Sequence, residues 1–267
     1  MIIDITTRNN INRFGSGDQT LMFAHGYGCD QTMWRYVTPA FEQDFEIVLF
    51  DHVGSGNSDE NAYDFDKYDS LEGYASDIIE ICDELELNDV TLVGHSVSAI
   101  IGVLAAGWAP DVIRKLILIG PSPCYINDDD YYGGFSRQDI DELVETLESN
   151  YLGWSEHITP IIAGDPDHPE VADELYHSFC KMNPGIAQHF AKVTFLGDNR
   201  DDLANVPVPS LIIQCHPDAI APVHVGKYVH QKMPKSSFVQ LDAPGHCPHL
   251  SAPEQTIKAM KTFLEKN

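Results

Sequence analysis

The chain has 267 residues, 43% of them hydrophobic, which is enough to bury a sizeable core in one domain with an insertion. Its 16 basic and 41 acidic residues give a formal net charge of -25, which repels phosphate backbones and anionic membrane surfaces. Composition therefore argues against a nucleic-acid partner and against a membrane partner.

Six cysteines are dispersed along the chain without a C-x-x-C pair: Cys29, Cys82, Cys124, Cys180, Cys215 and Cys247. This spacing indicates neither a zinc knuckle nor a disulfide framework, and reduced thiols are typical of the cytosol. No segment approaches the roughly 20 apolar residues that span a bilayer, and residues 1–10 lack the apolar core of an export signal. We therefore expect a cytoplasmic protein without a membrane anchor.

Short apolar runs alternate with longer stretches of helical period, which is typical of an α/β protein with a mostly parallel sheet and helices on both faces. The candidate strands cover 20–24, 46–50, 89–93, 115–119, 209–214 and 237–241. One candidate helix has apolar residues at steps of three and four: Leu71, Tyr74, Ile78, Ile81 and Leu85. This spacing predicts a helix that packs on the sheet.

The stretch 131–202 breaks the alternation, because it lacks β-branched runs and its helical segments are separated by glycine and proline. We predict that 131–202 is an all-helical insertion and that 1–130 and 203–267 together form the core domain. Ser136 is expected to cap the first insertion helix. The apolar stripe of that helix is Ile140, Leu143, Val144 and Leu147.

Gly94-His95-Ser96-Val97-Ser98 stands between the strand ending at Val93 and a helical run over 99–106. Strand, sharp turn and helix are the context that a nucleophile elbow requires. A serine hydroxyl is a weak nucleophile near neutral pH, so it must be exposed at a strained turn where a base can take its proton. We predict Ser96 as the nucleophile. The usual pattern is G-x-S-x-G, and the Cβ and hydroxyl of Ser98 in the last position would loosen the approach of helix to strand.

The base is expected late in the chain, because enzymes with this elbow carry serine, acid and histidine in that order. His246 follows the last candidate strand, and the loop before it would place the imidazole over Ser96. His249 is the alternative base. His246, Cys247 and His249 could instead hold a metal, but zinc needs further ligands and none is arranged nearby. We predict His246 as the base, and no metal or cofactor.

The third residue must be a carboxylate on a loop after an earlier strand, because it orients the imidazole and stabilises its charged form. Asp218 follows the candidate strand 209–214 at a short interval. Asp198, Asp201 and Asp202 are alternatives, but they belong to a solvated run of charges at the end of the insertion. Asp242 is another alternative, and it lies too close to His246 in sequence. The pattern favours Asp218.

An oxyanion hole needs backbone N–H donors, so its signature is a glycine-rich turn. His25-Gly26-Tyr27-Gly28 follows the first candidate strand, and we predict the N–H groups of Tyr27 and Val97 as the donors. A second glycine-rich turn at 51–58 lacks the G-K-[ST] of a phosphate loop and is interpreted as structural. Trp34 is interpreted as a core residue.

Several longer strings carry a family resemblance: Ala24-His25-Gly26-Tyr27-Gly28-Cys29-Asp30-Gln31, Phe50-Asp51-His52-Val53-Gly54-Ser55-Gly56, Gly94-His95-Ser96-Val97, Gly120-Pro121-Ser122-Pro123-Cys124-Tyr125 and Gly245-His246-Cys247-Pro248-His249. Together they resemble the RsbQ-type stress regulators of bacteria and, more distantly, the plant strigolactone and karrikin receptors. The resemblance covers nearly the whole chain. It implies an α/β-hydrolase fold with a four-helix lid over an apolar pocket. The expected wall residues beside the triad are Tyr27, His25, Trp154 and Phe190.

The resemblance implies two roles. One is an esterase or lactonase that acts on a small apolar ester or lactone. The other is a signalling protein whose triad handles a small ligand slowly and whose lid contacts a partner, for which the RsbQ-type members imply a PAS-domain phosphatase. We predict slow hydrolysis that supplies or senses a small molecule for such a partner. A signalling protein with negligible turnover and a plain metabolic carboxylesterase are the alternatives.

Overall fold

The fold is known from a computed structural model, which describes residues 4–267. One mixed sheet runs through the molecule. Its strands are β1 Asn12–Gly15, β2 Thr20–Ala24, β3 Glu46–Leu49, β4 Val90–His95, β5 Ile113–Ile119, β6 Ser210–Cys215 and β7 Ser236–Leu241. Their order across the sheet is β1-β3-β2-β4-β5-β6-β7. The β1–β3 pair is antiparallel, and every other neighbouring pair is parallel.

Helices follow most of the strands along the chain. They are α1 Ile5–Arg8, α2 Leu71–Glu84, α3 Val97–Trp108, α4 Arg137–Ser149, α5 Tyr151–Ala163, α6 Pro169–Phe179, α7 Pro184–Leu196, α8 Val223–Lys232, α9 Pro248–Ser251 and α10 Pro253–Leu264. Every residue of β2, β4 and β6 is buried, as expected for a parallel sheet with helices on both faces. Within residues 4–267, no helix is long and apolar enough to cross a membrane.

The six candidate strands are all present, and their ends differ from the sequence prediction by at most two residues. β1 was not predicted. All four of its residues are exposed, so it has no buried face and therefore no apolar alternation to reveal it. The helix expected over 99–106 is longer at both ends and begins directly after Ser96.

The helices α4, α5, α6 and α7 lie between β5 and β6, inside the predicted insertion 131–202. Ser136 caps α4 through a capping box: its hydroxyl accepts from the Asp139 N–H, and the Asp139 carboxylate accepts from the Ser136 N–H. Along α4, Ile140 and Leu147 are buried. The four helices of the expected lid are thus present, while the division of the chain into a core, 1–130 with 203–267, and an insertion, 131–202, stays a prediction.

The carboxyl ends of the parallel strands converge on one edge of the sheet, where loops carry the candidate site residues. Tyr27 follows β2, Ser96 follows β4, and Tyr125 follows β5. Asp218 follows β6, and His246 follows β7. Residues that are up to about 220 positions apart in sequence are therefore brought to one place by the sheet alone.

Candidate active site

Ser96 occupies a strained turn between β4 and α3. Its φ of 56° and ψ of -121° lie in a region that residues other than glycine rarely adopt. The turn is held by the Ser96 N–H, which donates to the Ile119 carbonyl at 2.8 Å. Gly94 is required because a Cβ there would lie 2.3 Å from the Ser98 carbonyl oxygen. The local geometry is that of a nucleophile elbow.

Ser96, His246 and Asp218 form one hydrogen-bonded chain. Ser96 Oγ lies 2.8 Å from His246 Nε2, and His246 Nδ1 lies 2.8 Å from Asp218 Oδ2. Because a carboxylate only accepts, the His246 Nδ1–H donates to Asp218 and leaves the Nε2 lone pair facing the serine hydroxyl. This tautomer is the one that can take a proton from Ser96.

Backbone contacts fix both partners of the serine. Asp218 Oδ1 accepts from the Ile220 N–H at 2.8 Å and from the Ala221 N–H at 3.0 Å. Gly120, with a φ of +60°, lets the imidazole approach, since a Cβ at that position would lie 2.8 Å from His246 Cε1. The His246 N–H donates to the Ile162 carbonyl at 2.8 Å, so the end of α5 anchors the histidine loop.

The competing acid and base candidates do not join this chain. His249 is fully buried, its ring lies 4.7 Å from that of Trp34, and burial lowers its pKa to about 3. Asp198 binds Arg200, whose guanidinium lowers the pKa of that carboxyl. Asp242 is exposed. Trp34, as expected, belongs to the buried core.

The structure brings together a different set of potential metal ligands from the set considered in the sequence analysis. His95, Cys247 and His249, and not His246, form a buried group whose potential ligand atoms lie within 4.8 Å of one another. His95 Nε2 lies 2.8 Å from the His246 carbonyl oxygen and 3.9 Å from Cys247 Sγ. This nitrogen therefore carries a proton, which leaves it no lone pair to bind a metal.

The loop after β2 lies directly against the elbow. A Cβ on Gly26 would lie 3.4 Å from Ser96 Cβ and 2.5 Å from His95 Nδ1, so only glycine permits this approach. Val97 is the first residue of α3, and its N–H has no acceptor within the helix. Among residues 4–267, neither this N–H nor that of Tyr27 meets a hydrogen-bond acceptor. Both are free to bind an oxyanion.

A cavity of about 260 Å³ opens above Ser96. Its lining is mostly apolar: Tyr27, Cys29, His95, Ser96, Tyr125, Phe135, Leu143, Trp154, Ile158, Ile161, Ile162, Leu175, Phe179, Thr194, Phe195, Ala219, Ile220, His246 and Cys247. Tyr27 and Trp154 are therefore wall residues, as the sequence analysis expected. Neither lysine nor arginine lines the cavity, which suits an uncharged ligand.

Two expected wall residues, His25 and Phe190, do not line the cavity, and this corrects the sequence analysis. His25 is fully buried, and its ring nitrogens bind the Gly26 carbonyl and the His52 N–H. Phe190 lies behind the cavity wall: its ring is 5.5 Å from that of Tyr27, which lines the cavity, and stacks on that of Tyr74 with centroids 4.4 Å apart.

Sequence reasoning missed several wall residues. On α5, Ile158 and Ile162 follow the expected Trp154 at steps of four, so helical spacing could have assigned them to the same face. Tyr125 was quoted only as part of a family string. It follows β5 at the active edge of the sheet, and burial raises the pKa of its phenol to about 12. This hydroxyl therefore stays protonated in the cavity wall.

Comparison with known proteins places this geometry in a family. The family model described as the alpha/beta hydrolase family matches residues 21–259. The karrikin insensitive 2 receptor CA of Petunia hybrida is 39% identical over 253 residues, which cover 94% of this chain and 94% of that protein. The strigolactone esterase D14 of Arabidopsis thaliana is 36% identical over 258 residues, or 96% of each chain.

Among solved structures, a hydrolase from Oleispira antarctica superposes with a TM-score of 0.96. It is 41% identical in sequence, and the match covers 99% of this chain and 97% of that one. The predicted fold is therefore confirmed. The resemblance to the plant receptors is borne out by the identity to their sequences. The chain belongs to the alpha/beta hydrolase family and is an enzyme of that family.

Proposed function

We propose that the protein hydrolyses small, uncharged, apolar esters or lactones, with Ser96 as nucleophile, His246 as base and Asp218 as the residue that orients it. The observation that carries this proposal is the pair of 2.8 Å hydrogen bonds joining the three side chains beneath an apolar cavity. A serine held in this way can attack an acyl carbon, and the cavity selects for ligands without charge.

In the first half of the reaction, Ser96 Oγ forms a bond to the carbonyl carbon while its proton passes to His246 Nε2. The carbonyl oxygen becomes an oxyanion and accepts from the N–H groups of Tyr27 and Val97. The carbon–oxygen ester bond then breaks, and His246 returns its proton to the leaving alkoxide. In a lactone this alkoxide remains tethered to the acyl group.

In the second half, water attacks the acyl carbon and His246 takes one of its protons. The second oxyanion collapses, the bond to Ser96 breaks, and the serine regains a proton from His246. Asp218 remains ionised throughout and stabilises the imidazolium that forms twice. The products are a carboxylic acid and an alcohol, or one hydroxy acid from a lactone.

The proposal extends to an RsbQ-type role, in which slow hydrolysis supplies or senses a small molecule for a regulatory partner in the cytosol. The names of the plant relatives, a receptor and an esterase, support a role that combines ligand sensing with hydrolysis. A lid over a deep cavity makes opening a step that can limit turnover. The candidate partner is a PAS-domain phosphatase. A metabolic carboxylesterase and a non-hydrolytic signalling protein are the alternatives.

The hydrolytic proposal is tested with a substrate panel. We expect p-nitrophenyl acetate and simple γ-lactones to be hydrolysed, and p-nitrophenyl phosphate to remain intact, because among residues 4–267 neither lysine nor arginine lines the cavity. A serine-directed sulfonyl fluoride should add one adduct to the wild type and none to Ser96→Ala by intact-protein mass spectrometry. Equal labelling of both proteins, or preference for the phosphate ester, would contradict the proposal.

The regulatory role is tested by reconstitution with the PAS-domain phosphatase of the source organism. Ser96→Ala and His246→Ala should abolish both hydrolysis and phosphatase activation. Glu142→Lys and Glu145→Lys, on the exposed face of α4, should leave hydrolysis intact and weaken activation. A catalytic efficiency of about 10⁴ per molar per second or more on a common metabolite ester, without any effect on the phosphatase, would favour the metabolic carboxylesterase.

A further inference from the structure

Three buried polar side chains that the mechanism above does not use lie behind the loop that follows β2. They belong to His25, His52 and Ser98, and each is fully buried. None of them lines the cavity. They come from three different places in the chain: the loop after β2, the loop after β3, and the first turn of α3. A buried polar group destabilises the fold unless it forms a hydrogen bond. The hydrogen-bond partners of these three side chains therefore indicate which parts of the backbone they hold in place.

Ser98 joins the elbow helix to this loop. Its Oγ lies 2.5 Å from the His25 carbonyl oxygen and 2.7 Å from His52 Nε2. A hydroxyl has only one hydrogen, and a carbonyl can only accept, so Ser98 donates to the His25 carbonyl. It must then accept from a protonated His52 Nε2. Burial lowers the pKa of His52 well below its usual value, so the ring is neutral and its single proton is on the nitrogen that faces Ser98.

His25 completes the connection. The His52 N–H donates to His25 Nε2 at 3.1 Å, so that nitrogen has no proton. The proton of the neutral ring is therefore on Nδ1, which donates to the Gly26 carbonyl at 2.9 Å. The same carbonyl also accepts from the Cys29 N–H at 3.2 Å.

The Gly26 carbonyl and the Tyr27 N–H belong to one peptide unit. A peptide unit is planar and trans, so its C=O and N–H point in opposite directions, and fixing one fixes the other. Two donors on the Gly26 carbonyl therefore set the direction of the Tyr27 N–H. Ser98, by binding the His25 carbonyl, holds the preceding peptide unit as well.

We propose that Ser98, His52 and His25 are positioning residues for the oxyanion hole: they hold the Gly26–Tyr27 peptide so that the Tyr27 N–H faces the developing oxyanion. This inference rests on the proposed function, since it deepens the account of the same site. It also gives Ser98 a task that the glycine of the usual elbow pattern cannot perform, because glycine has no hydroxyl.

The second ring nitrogen of His52 supports a functional reason for a histidine at this position. Within residues 4–267, His52 Nδ1 is buried without a hydrogen-bond partner. An unpaired buried acceptor destabilises the fold relative to an apolar side chain of similar shape. A phenylalanine or leucine would satisfy packing alone. A histidine here is explained by what its other nitrogen holds.

An oxyanion donor acts in the transition state and contributes little to substrate binding. Loosening it should lower kcat and leave KM unchanged. The sharpest variant is Ser98→Gly, which restores the usual G-x-S-x-G pattern yet removes the hydroxyl. We expect its kcat on p-nitrophenyl acetate to fall by about tenfold, because the variant loosens a donor whose complete removal costs about 10²-fold to 10³-fold. If the pattern alone mattered, Ser98→Gly would be as active as the wild type.

Two variants at position 52 test the same inference independently, through their effect on kcat. His52→Gln places an amide N–H where Nε2 stands and should restore most of kcat, whereas His52→Leu should lose as much as Ser98→Gly. This pair also serves if Ser98→Gly fails to fold. Affinity for a trifluoromethyl ketone, which forms a tetrahedral adduct on Ser96, should fall in parallel with kcat across all the variants.

Ser210→Ala is the matched control, because Ser210 is also fully buried and its hydroxyl also donates to a backbone carbonyl, that of Val208, at 3.1 Å. It lies at the start of β6, away from the site, and should leave kcat unchanged. Wild-type kcat in both Ser98→Gly and His52→Leu, or a raised KM with unchanged kcat, would overturn the inference and leave the proposed function standing. Wild-type hydrolysis no faster than that of Ser96→Ala would overturn both.

Discussion

The two sides of the cavity differ in chemistry. The loops of the sheet supply its reactive groups: Ser96, His246 and the Tyr27 N–H. The insertion supplies an apolar wall, and the hydroxyl of Thr194 in that wall donates to the Phe190 carbonyl at 2.7 Å instead of facing the ligand unpaired. The sheet side therefore determines whether a bond is broken, and the insertion determines which molecule is accepted.

The fully buried histidines all belong to the core. Burial lowers the pKa of three of them, His52, His95 and His249. The core also has exposed histidines, and in the insertion His157 and His168 are exposed. Within residues 4–267, neutral imidazoles shielded from water are therefore a feature of the core and not of the insertion. Changes in the core should affect rate and acid stability, and changes in the insertion should affect selectivity.

The largest effect is expected from Ser96→Ala. Loss of the nucleophile should lower kcat by about 10³-fold to 10⁶-fold, with little change in KM. The insertion offers a matched control in Ser155, a fully buried serine on α5 whose hydroxyl donates to the Tyr151 carbonyl at 2.8 Å. Ser155→Ala should keep its activity in the same initial-rate assay. Comparable losses in both variants would break the division between core and insertion.

Asp218→Asn should lower kcat by about 10⁴-fold. Oδ1 of Asp218 accepts two backbone N–H groups, so the amide oxygen of an asparagine would take that place and its NH₂ group would face His246. The imidazole would then carry its proton on Nε2 and could not accept one from Ser96. Steady-state kinetics would measure the loss. Asp242→Asn, an exposed change near His246 in sequence, is the control and should be silent.

Ile158→Ala tests the other side of the comparison. Ile158 lines the cavity from α5, and its truncation leaves room for a longer acyl chain. We expect the ratio of kcat/KM for p-nitrophenyl hexanoate over acetate to rise about tenfold, since a methylene in a pocket is worth about 1–3 kcal/mol. Leu152→Ala, an exposed change on the same helix, should leave the ratio unchanged. A fall in kcat without a change of ratio would contradict the assignment.

The sequence predicted best the features that local chemistry determines. The strands were found because their apolar runs are buried, and Ser96, His246 and Asp218 were ordered by the strands that precede them. The exposed β1 left no pattern to detect. The orientations of His25 and Phe190 depend on contacts with distant loops and helices, to which their own neighbours in sequence give no clue.

Ser98 shows the same limit within a motif. Its sequence context indicated only a departure from the usual glycine, and the expected consequence was a looser packing of helix against strand. The structure instead gives its hydroxyl two partners, and one of them is His52, which lies 46 positions away in sequence. A motif records spacing along the chain, so it cannot report a hydrogen bond that the tertiary fold creates.

The smallest effect concerns acid stability, and it follows from the buried histidines of the core. Burial lowers the pKa of His249 to about 3, whereas in an unfolded chain it is about 6.5. Between these values the unfolded state binds a proton that the native state does not, so the free energy of unfolding falls as the pH falls. Each such group contributes a slope of up to about 1.4 kcal/mol per pH unit.

His249→Gln removes one of these groups, so its unfolding free energy should decrease less steeply than that of the wild type between about pH 6 and about pH 4. Urea titrations across this range would measure both slopes, and the carboxylates common to both proteins cancel in the difference. The glutamine variant starts from a lower stability if it packs poorly against Trp34, but its slope is independent of that offset. His157→Gln, a change in the insertion, should keep the wild-type slope because this side chain is exposed to solvent in the folded protein. Identical slopes in all three proteins would show that His249 gains its proton in the folded state, and the contrast between a neutral core and a solvated insertion would then fail at this residue.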